Sequence, residues 1–386
     1  MGPTQPPLLT INNVGVLSFG SGAALRCAAD LRDRGAQSVF LVTTAPTLQL
    51  CQPLIAALKS NGCAVTVWHE MAGEPTIPEF ENALQAARRA QIDAVVGLGG
   101  GSAMDVAKLV AALIDGTQAI EEVLGVDRLR GRALWVACIP TTAGTGSEVT
   151  PIAILADETQ DLKKGVVSRF LVPDAAYLDP QLTVSMPPAV TAATGLDALT
   201  HCVEAYANRF AHPLADIYAR TGIELIAAYL ERAVKDGRDL EARAALLRAS
   251  LYGGMCLGPV NTAAVHALAY PLGGEFHIAH GLANALLLPH VLRFNLQAAP
   301  ERYAEIAQAL GARRSGDDLT DARDGVRRIE LLIASCGVQV GMRHFGIGQE
   351  DIPRMASAAI TVHRLLERNL RVITEQDARD IYQAAW

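Results

Sequence analysis

Asp93-Ala94-Val95-Val96-Gly97-Leu98-Gly99-Gly100-Gly101-Ser102-Ala103-Met104-Asp105-Val106-Ala107-Lys108 passes from an apolar run, through a cluster of glycines, into a helical pattern. The run 93–98 reads as a buried strand and 103–114 as a helix, so the glycines sit where one gives way to the other. The same alternation extends outward. Ser38–Thr43, Ala64–Trp68 and Ala133–Ile139 read as strands, with helices expected over 47–60 and 78–90. Strands alternating with helices of this length predict a mostly parallel sheet covered on both faces. From about Pro187 the texture changes to Ala/Leu-rich periodic segments at 188–209, 213–234, 240–257, 261–269, 281–296, 300–310, 320–338 and 349–367. These leave little room for strands. Thr374-Glu375-Gln376-Asp377 resembles a capping box opening a last helix. The expected architecture is an α/β domain over 1–185 followed by an all-α domain over 186–386.

A chain of 386 residues suits two domains or one large one. No run of about 18 uncharged apolar residues suggests a membrane span. The opening Met1-Gly2-Pro3-Thr4-Gln5-Pro6-Pro7 has no basic segment followed by an apolar one, so a cytoplasmic setting is expected. The seven cysteines are scattered and never in CxxC spacing, which fits small core residues in a reducing compartment. Lys and Arg number 33 against 40 acids, a net charge of −7 with no basic run, and this argues against a nucleic-acid partner.

The glycine-rich turn is suited to pyrophosphate, because its amides can approach an anion closely and the helix N-terminus adds favourable partial charge. Glycine in a tight strand-to-helix turn is also common for structural reasons. A second loop favours the nucleotide: Pro140-Thr141-Thr142-Ala143-Gly144-Thr145-Gly146-Ser147-Glu148 follows the strand ending at Ile139. Both loops lie at carboxyl ends of strands, where open α/β sheets bind ligands.

In the helical half, Ala193-Thr194-Gly195-Leu196-Asp197-Ala198-Leu199-Thr200-His201-Cys202-Val203-Glu204-Ala205-Tyr206 carries Asp197 and His201 at i and i+4, on one face of an apolar helix. A buried Asp and His are costly unless paired or metal-bound, and a carboxylate beside an imidazole suits a divalent first-row ion. Six of the nine histidines (His201, His212, His266, His277, His280 and His290) fall between 201 and 290. His266 lies on an apolar helix that Pro271 and Gly273-Gly274 are expected to break, and a turn there could fold His277 and His280 back towards it.

Over nearly its full length the chain resembles the iron-containing (group III) alcohol dehydrogenases, the family that includes lactaldehyde reductase and 1,3-propanediol dehydrogenase. The matching stretches are Gly99–Lys108, Ile139–Val149, Ala193–Tyr206 and His266–Asn284. The resemblance implies a Rossmann-like nucleotide-binding domain followed by an all-α metal-binding domain. It implies metal ligation by Asp197, His201, His266 and His280. Pyrophosphate contacts would come from Gly99, Gly100, Gly101 and Ser102, with Asp105 nearby. Thr141, Thr142 and Thr145 would line the nicotinamide half of NAD or NADP, and Lys163 would reach the ribose. Without the family, Lys163 and Lys164 read as solvated turn residues. Family members are commonly homodimers or higher assemblies.

Two positions depart from the pattern. Members preferring NAD usually carry an acid at the position of Thr44, which supplies no repulsion to a 2′-phosphate, so both coenzymes stay open. Tyr270 stands where many members have a histidine assigned to proton relay. A phenol, with a reference pKa near 10, is a poor base, and His277 is the substitute candidate. The function implied is reversible hydride transfer between NAD(P) and a small primary alcohol or aldehyde, a diol or hydroxy-aldehyde included, aided by Fe²⁺ or Zn²⁺. The alternatives are other chemistries on the same scaffold: a hydroxyacid dehydrogenase, a maleylacetate reductase or a dehydroquinate-synthase-like lyase. A multi-acid or phosphorylated substrate would need basic residues, and none lies around His266 to His290. A non-catalytic nucleotide-binding protein is the reading from a different class.

Overall fold

The computed structural model describes residues 8–71, 73–157 and 162–386. The described chain divides into two compact units, Asn12–Met186 and a second built on Pro187–Trp386, with which residues 8–11 group.

The first unit carries β1 (Val16–Phe19), α1 (Ala23–Asp33), β2 (Ser38–Val42), α2 (Gln52–Ser60), β3 (Ala64–Trp68), α3 (Ile77–Ala90), β4 (Ala94–Gly99) and α4 (Gly101–Leu113). The short α5 (Ile120–Val123) and β5 (Gly125–Val126) follow, then β6 (Trp135–Pro140), β7 (Ile152–Asp157), β8 (Leu162–Val167) and β9 (Ala175–Leu178). Six strands form a sheet in the order β1-β9-β6-β4-β2-β3, every neighbouring pair parallel. Successive residues of a strand face opposite sides, so a sheet covered twice needs apolar residues at every position. β2 and β4 meet that requirement. Phe40, Val42 and Val95 join a core with α3 and α4 on one face. Val39, Leu41, Val96 and Leu98 join another with α1 and α2 on the other.

The segment expected as one helix over 47–60 is divided: a 3₁₀ turn spans Ala45–Cys51, and α2 starts next to Pro53. A smaller sheet, β5-β8-β7, contains an antiparallel β7–β8 pair that the sequence reading did not anticipate. It places Lys163 on a strand, with its side chain only 7% exposed and ion-paired to Glu74, and so corrects the reading of this lysine as a solvated turn residue.

The second unit is helical: α6 (Pro188–Tyr206), α7 (Pro213–Lys235), α8 (Leu240–Leu257), α9 (Ala264–Gly274), α10 (His280–Asn295), α11 (Pro300–Ala309), α12 (Asp318–Ser335), α13 (Ile352–Ile360), α14 (His363–Leu366) and α15 (Glu375–Ala385). The capping box at Thr374 is present, with the Asp377 amide donating to the hydroxyl at 3.1 Å and the Thr374 amide to the Asp377 carboxylate at 2.9 Å. Two expectations are corrected. α9 runs through Pro271 to Gly274, and the reversal comes afterwards, at His277 with φ 54°. A single proline removes one ladder bond, which a short, fully packed helix tolerates more readily than loss of its core contacts. The segment 349–367 splits into α13 and α14 at the β-branched run Ile360-Thr361-Val362, which lowers helix propensity locally.

α6 is the hub, packed by α7, α8 and α10. Glycine makes two of these approaches close. A Cβ on Gly253 of α8 would meet the His201 Cβ at 3.1 Å. One on Gly281 of α10 would meet the Ala193 carbonyl oxygen at 2.2 Å and the Asp197 Cβ at 3.1 Å. Gly281→Ala is therefore expected to push α10 off α6, costing about 1–3 kcal/mol of stability and weakening divalent-cation binding. A thermal melt with and without metal checks both effects.

Candidate functional site

Asp197 and His201 lie one turn apart on α6, both buried. His266 of α9 and His280 at the start of α10 complete the group. The Nε2 atoms of His201, His266 and His280 lie 3.8, 3.7 and 3.7 Å from one atom, Asp197 Oδ1. The His201 and His266 rings stack at 4.8 Å, and those of His266 and His280 tilt at 5.2 Å. Burial by itself would raise the Asp197 carboxyl, but His201, His280, His266 and the Asn284 amide together hold it below its usual range.

The donor set fits a divalent ion. Four donors about 2.1 Å from a tetrahedral centre would be about 3.4 Å apart, and the three separations from Asp197 Oδ1 are within about 0.4 Å of that. One carboxylate with three imidazoles accepts iron or zinc. The structure brings donor atoms of Asp197, His201 and His266 within 4.8 Å of one another, and His280 joins through Asp197 Oδ1 at 3.7 Å. His212 stands elsewhere, its Nδ1 accepting from the Leu214 amide at 3.1 Å to cap α7. His277 is exposed on the turn before α10, and Tyr270 is on α9, one turn beyond His266.

Two further residues support the ligands. Glu204, one turn beyond His201, lies 2.6 Å from His266 Nδ1 and accepts from the Val265 amide at 2.6 Å. This fixes Nδ1 as the protonated nitrogen and leaves the Nε2 lone pair for a cation, the usual carboxylate–histidine–metal arrangement. Asn284, one turn into α10, donates to Asp197 Oδ1 at 2.8 Å. Its amide nitrogen is also 3.1 Å from His266 Nε2 and 3.3 Å from His280 Nε2. A buried acid one turn from a ligand was the sequence signal for Glu204, and the i+4 spacing from His280 was the signal for Asn284.

In the first unit the two predicted loops touch. The Thr141 amide donates to the Gly99 carbonyl at 2.9 Å. A Cβ on Gly101 would come within 2.8 Å of the Thr145 side chain, while Gly100 faces the Thr142 side chain at 3.6 Å. Ser102 lies in the first turn of α4. Thr44 follows β2 and its hydroxyl pairs with that of Thr47 at 2.8 Å.

Asp105 turns inward. One oxygen accepts from the Ser147 hydroxyl at 2.5 Å, the other from the Ile154 amide at 3.0 Å. Lys108, fully buried, reaches Asp105 at 3.1 Å, Ser147 Oγ at 2.7 Å, the Ser147 carbonyl at 3.1 Å and the Ile152 carbonyl at 2.5 Å. The Asp105–Lys108–Ser147 group is a clamp between the helix behind the first loop and the chain leaving the second. Its lysine was missed because a Lys at the end of a glycine-rich motif reads as a solvated cation.

The halves of the chain match two family descriptions, "Iron-containing alcohol dehydrogenase" over residues 15–180 and "Fe-containing alcohol dehydrogenase family, C-terminal" over residues 191–386. The chain belongs to the iron-containing alcohol dehydrogenase family. It is 39% identical over 373 residues to the long-chain-alcohol dehydrogenase 1 of Geobacillus thermodenitrificans, covering 95% of this chain and 94% of that one. A solved 1,3-propanediol oxidoreductase superposes with a TM-score of 0.95 at 33% identity, covering 98% of this chain and 100% of the other. The sulfoacetaldehyde reductase of Bifidobacterium kashiwanohense, solved in complex with NAD⁺, superposes at 0.89 with 28% identity, covering 98% and 99%. This member of the family is an oxidoreductase of alcohols and aldehydes with a parallel-sheet unit and a helical unit.

Glu204→Gln keeps the size of the side chain but cannot accept both bonds. It is expected to weaken divalent-ion affinity about 10- to 100-fold, measured by competition with a chelator. In the second loop, Glu148 is buried, one carboxylate oxygen accepts no hydrogen bond among the described residues, and burial pushes its pKa up to about 7. A folded pKa above the unfolded value favours the folded state at low pH, and that contribution is lost as pH rises from about 4.5 through 7. Glu148→Gln should therefore gain stability relative to the parent across that window and hold the gain above it, as read from melts between pH 4 and 8.

Proposed function

We propose that this member of the iron-containing alcohol dehydrogenases is an NAD(P)- and metal-dependent enzyme. It moves hydride between a nicotinamide and a small primary alcohol or its aldehyde, diols and hydroxy-aldehydes included. The observation that carries this reading is the convergence of three imidazole nitrogens on one buried carboxylate oxygen. Asp197, His201, His266 and His280 would hold Fe²⁺, with Zn²⁺ accepted by the same donors. The ion supplies acidification of an alcohol, or polarisation of a carbonyl towards hydride.

The remaining work falls to the chain. Glu204 keeps the His266 tautomer, and Asn284 keeps the Asp197 carboxylate aimed. Nucleotide binding belongs to the Asn12–Met186 unit. There Gly99, Gly100, Gly101 and Ser102 receive the pyrophosphate at the N-terminus of α4, with Thr141, Thr142 and Thr145 beside it and Lys163 at the ribose. Asp105 acts by holding the second loop rather than by touching phosphate. Thr44 places no charge at the end of β2, which supports use of either coenzyme. Exposed His277, three residues before a ligand, is the candidate to exchange the substrate proton with solvent; Tyr270 stays with packing.

No helix among the described residues is long and apolar enough to cross a membrane. The described cysteines are all free and buried, which supports a reducing, cytoplasmic setting. β1 is an edge strand with Val16, Leu17 and Phe19 exposed, which supports a homodimer or higher assembly.

Purified protein is expected to contain one divalent ion per chain and to oxidise NADH or NADPH with small aldehydes. Asp197→Ala should fall below about one per cent of the parent rate, since ion catalysis supplies several kcal/mol. Full activity after the ion is stripped, or in Asp197→Ala, would overturn the reading.

A further inference from the structure

Asn284 is fully buried in α10, one turn beyond His280, and the nitrogen of its side-chain amide meets the ligand group at three points. Nδ2 lies 2.8 Å from Asp197 Oδ1, 3.1 Å from His266 Nε2 and 3.3 Å from His280 Nε2. Glu204 holds the proton of His266 on Nδ1, so Nε2 presents a lone pair to the amide. An amide nitrogen carries two hydrogens, and here three acceptors compete for them. The oxygen of the same amide, Oδ1, is buried and accepts no hydrogen bond among the described residues. A buried carbonyl without a donor is costly, and this one belongs to a side chain that already touches three of the four ligands.

A cation reverses the balance at this amide. The lone pairs of Asp197 Oδ1 and of the two Nε2 atoms turn to the ion, so the Nδ2 hydrogens lose their acceptors and face positive charge. The two ends of a carboxamide are nearly equal in size, and rotation about the Cβ–Cγ bond is a broad, soft torsion. A half-turn there exchanges Oδ1 and Nδ2 without moving α10. It presents the unpartnered oxygen to the ion and takes the N–H groups away from it. Side-chain amide oxygens are ordinary donors to divalent cations.

We propose that Asn284 is a fifth, ion-dependent ligand. Its N–H groups serve Asp197 and the imidazoles when no ion is bound, and its carbonyl oxygen turns to the cation when one is. This rests on the metal-dependent reading above and deepens it, because a fifth donor separates two ions that the other four accept alike. Zn²⁺ is satisfied by four donors in a tetrahedron, whereas Fe²⁺ held by imidazoles and a carboxylate takes further donors. Asn284 therefore tilts the site towards iron.

The test strips the parent, Asn284→Leu and Asn284→Asp with a chelator and reloads each, without oxygen, with Fe²⁺ alone or Zn²⁺ alone. Affinities are read by chelator competition, and the donors around Fe²⁺ are counted by X-ray absorption. Leucine keeps the size of asparagine without a donor and leaves no room for water, while aspartate restores the oxygen. Asn284→Leu is expected to lose one oxygen or nitrogen donor around Fe²⁺ and at least tenfold in Fe²⁺ affinity. Its Zn²⁺ affinity should fall at least threefold less, and Asn284→Asp should keep the donor count. A residue that only aims Asp197 would weaken both ions equally and leave the count unchanged, and that result would overturn the proposal. If Asn284→Leu does not fold, a crystal structure of the Fe²⁺-loaded parent decides. Asn284 Oδ1 at a bonding distance of about 2.1 Å supports the assignment, and Oδ1 beyond about 3 Å rejects it. An ion held without Asn284 sinks the fifth ligand alone, an Asn284-ligated ion in a protein that reduces no aldehyde sinks the reductase reading alone, and a parent that takes up neither ion sinks both.

Discussion

A carboxylate taken out of water must be compensated on the spot, and the helical unit is built around that requirement at Asp197. Its carboxyl is buried in α6, where desolvation alone would favour the neutral acid. Three imidazoles and one amide, drawn from α6, α9 and α10, reverse that preference. Each must be brought to within about 4 Å, where charge interactions in a protein interior are strong. The tight approaches at Gly253 and Gly281 achieve this, and Glu204 then sets the hydrogen-bonding sense of the nearest imidazole from behind. Remove the close packing and the carboxylate is left as an uncompensated buried charge, which costs more than any single contact around it.

The nucleotide unit solves a related problem with the opposite sign. Lys108 is a fully buried cation, and Asp105, Ser147 and the Ile152 carbonyl satisfy it. A lysine has three donors, so this cluster saturates it. Glu148, its neighbour in the second loop, is left with an oxygen that accepts nothing among the described residues, and burial shifts its protonation instead. One site answers burial by pairing and the other by a raised carboxyl pKa.

Much of this was legible in the sequence because it is local. Continuous apolar runs joined to helical patterns identify the parallel sheet, and the i, i+4 spacing of Asp197 and His201 puts both on one face. The residues alone offered His266, His277 and His280 as further ligands, and choosing His280 over His277 needed the family resemblance, since nothing in a linear spacing says which of them returns to the same carboxylate. Pro271 misled for a physical reason: a proline predicts a break from backbone terms alone, whereas α9 is held by packing on α13 and α10 and by the Tyr382 hydroxyl, which donates to the Leu268 carbonyl at 2.6 Å. The antiparallel β7–β8 pair and the Lys108 clamp were hidden because each rests on pairing between segments, and the partners of a buried cation are visible only once its surroundings are known.

The clamp has a consequence for redesign. Lys108 and Asp105 fasten the second loop to the helix behind the first, so these two loops shift together or not at all. Among the described residues, the hydroxyls of Thr43, Thr44 and Thr47 at the end of β2 bond to one another, to the Thr44 carbonyl and amide, and to Cys51. Charge can therefore be added or removed at Thr44 without loosening the clamped pair. Under the reading proposed for Thr44, coenzyme preference would be a separable module, open to change one residue at a time.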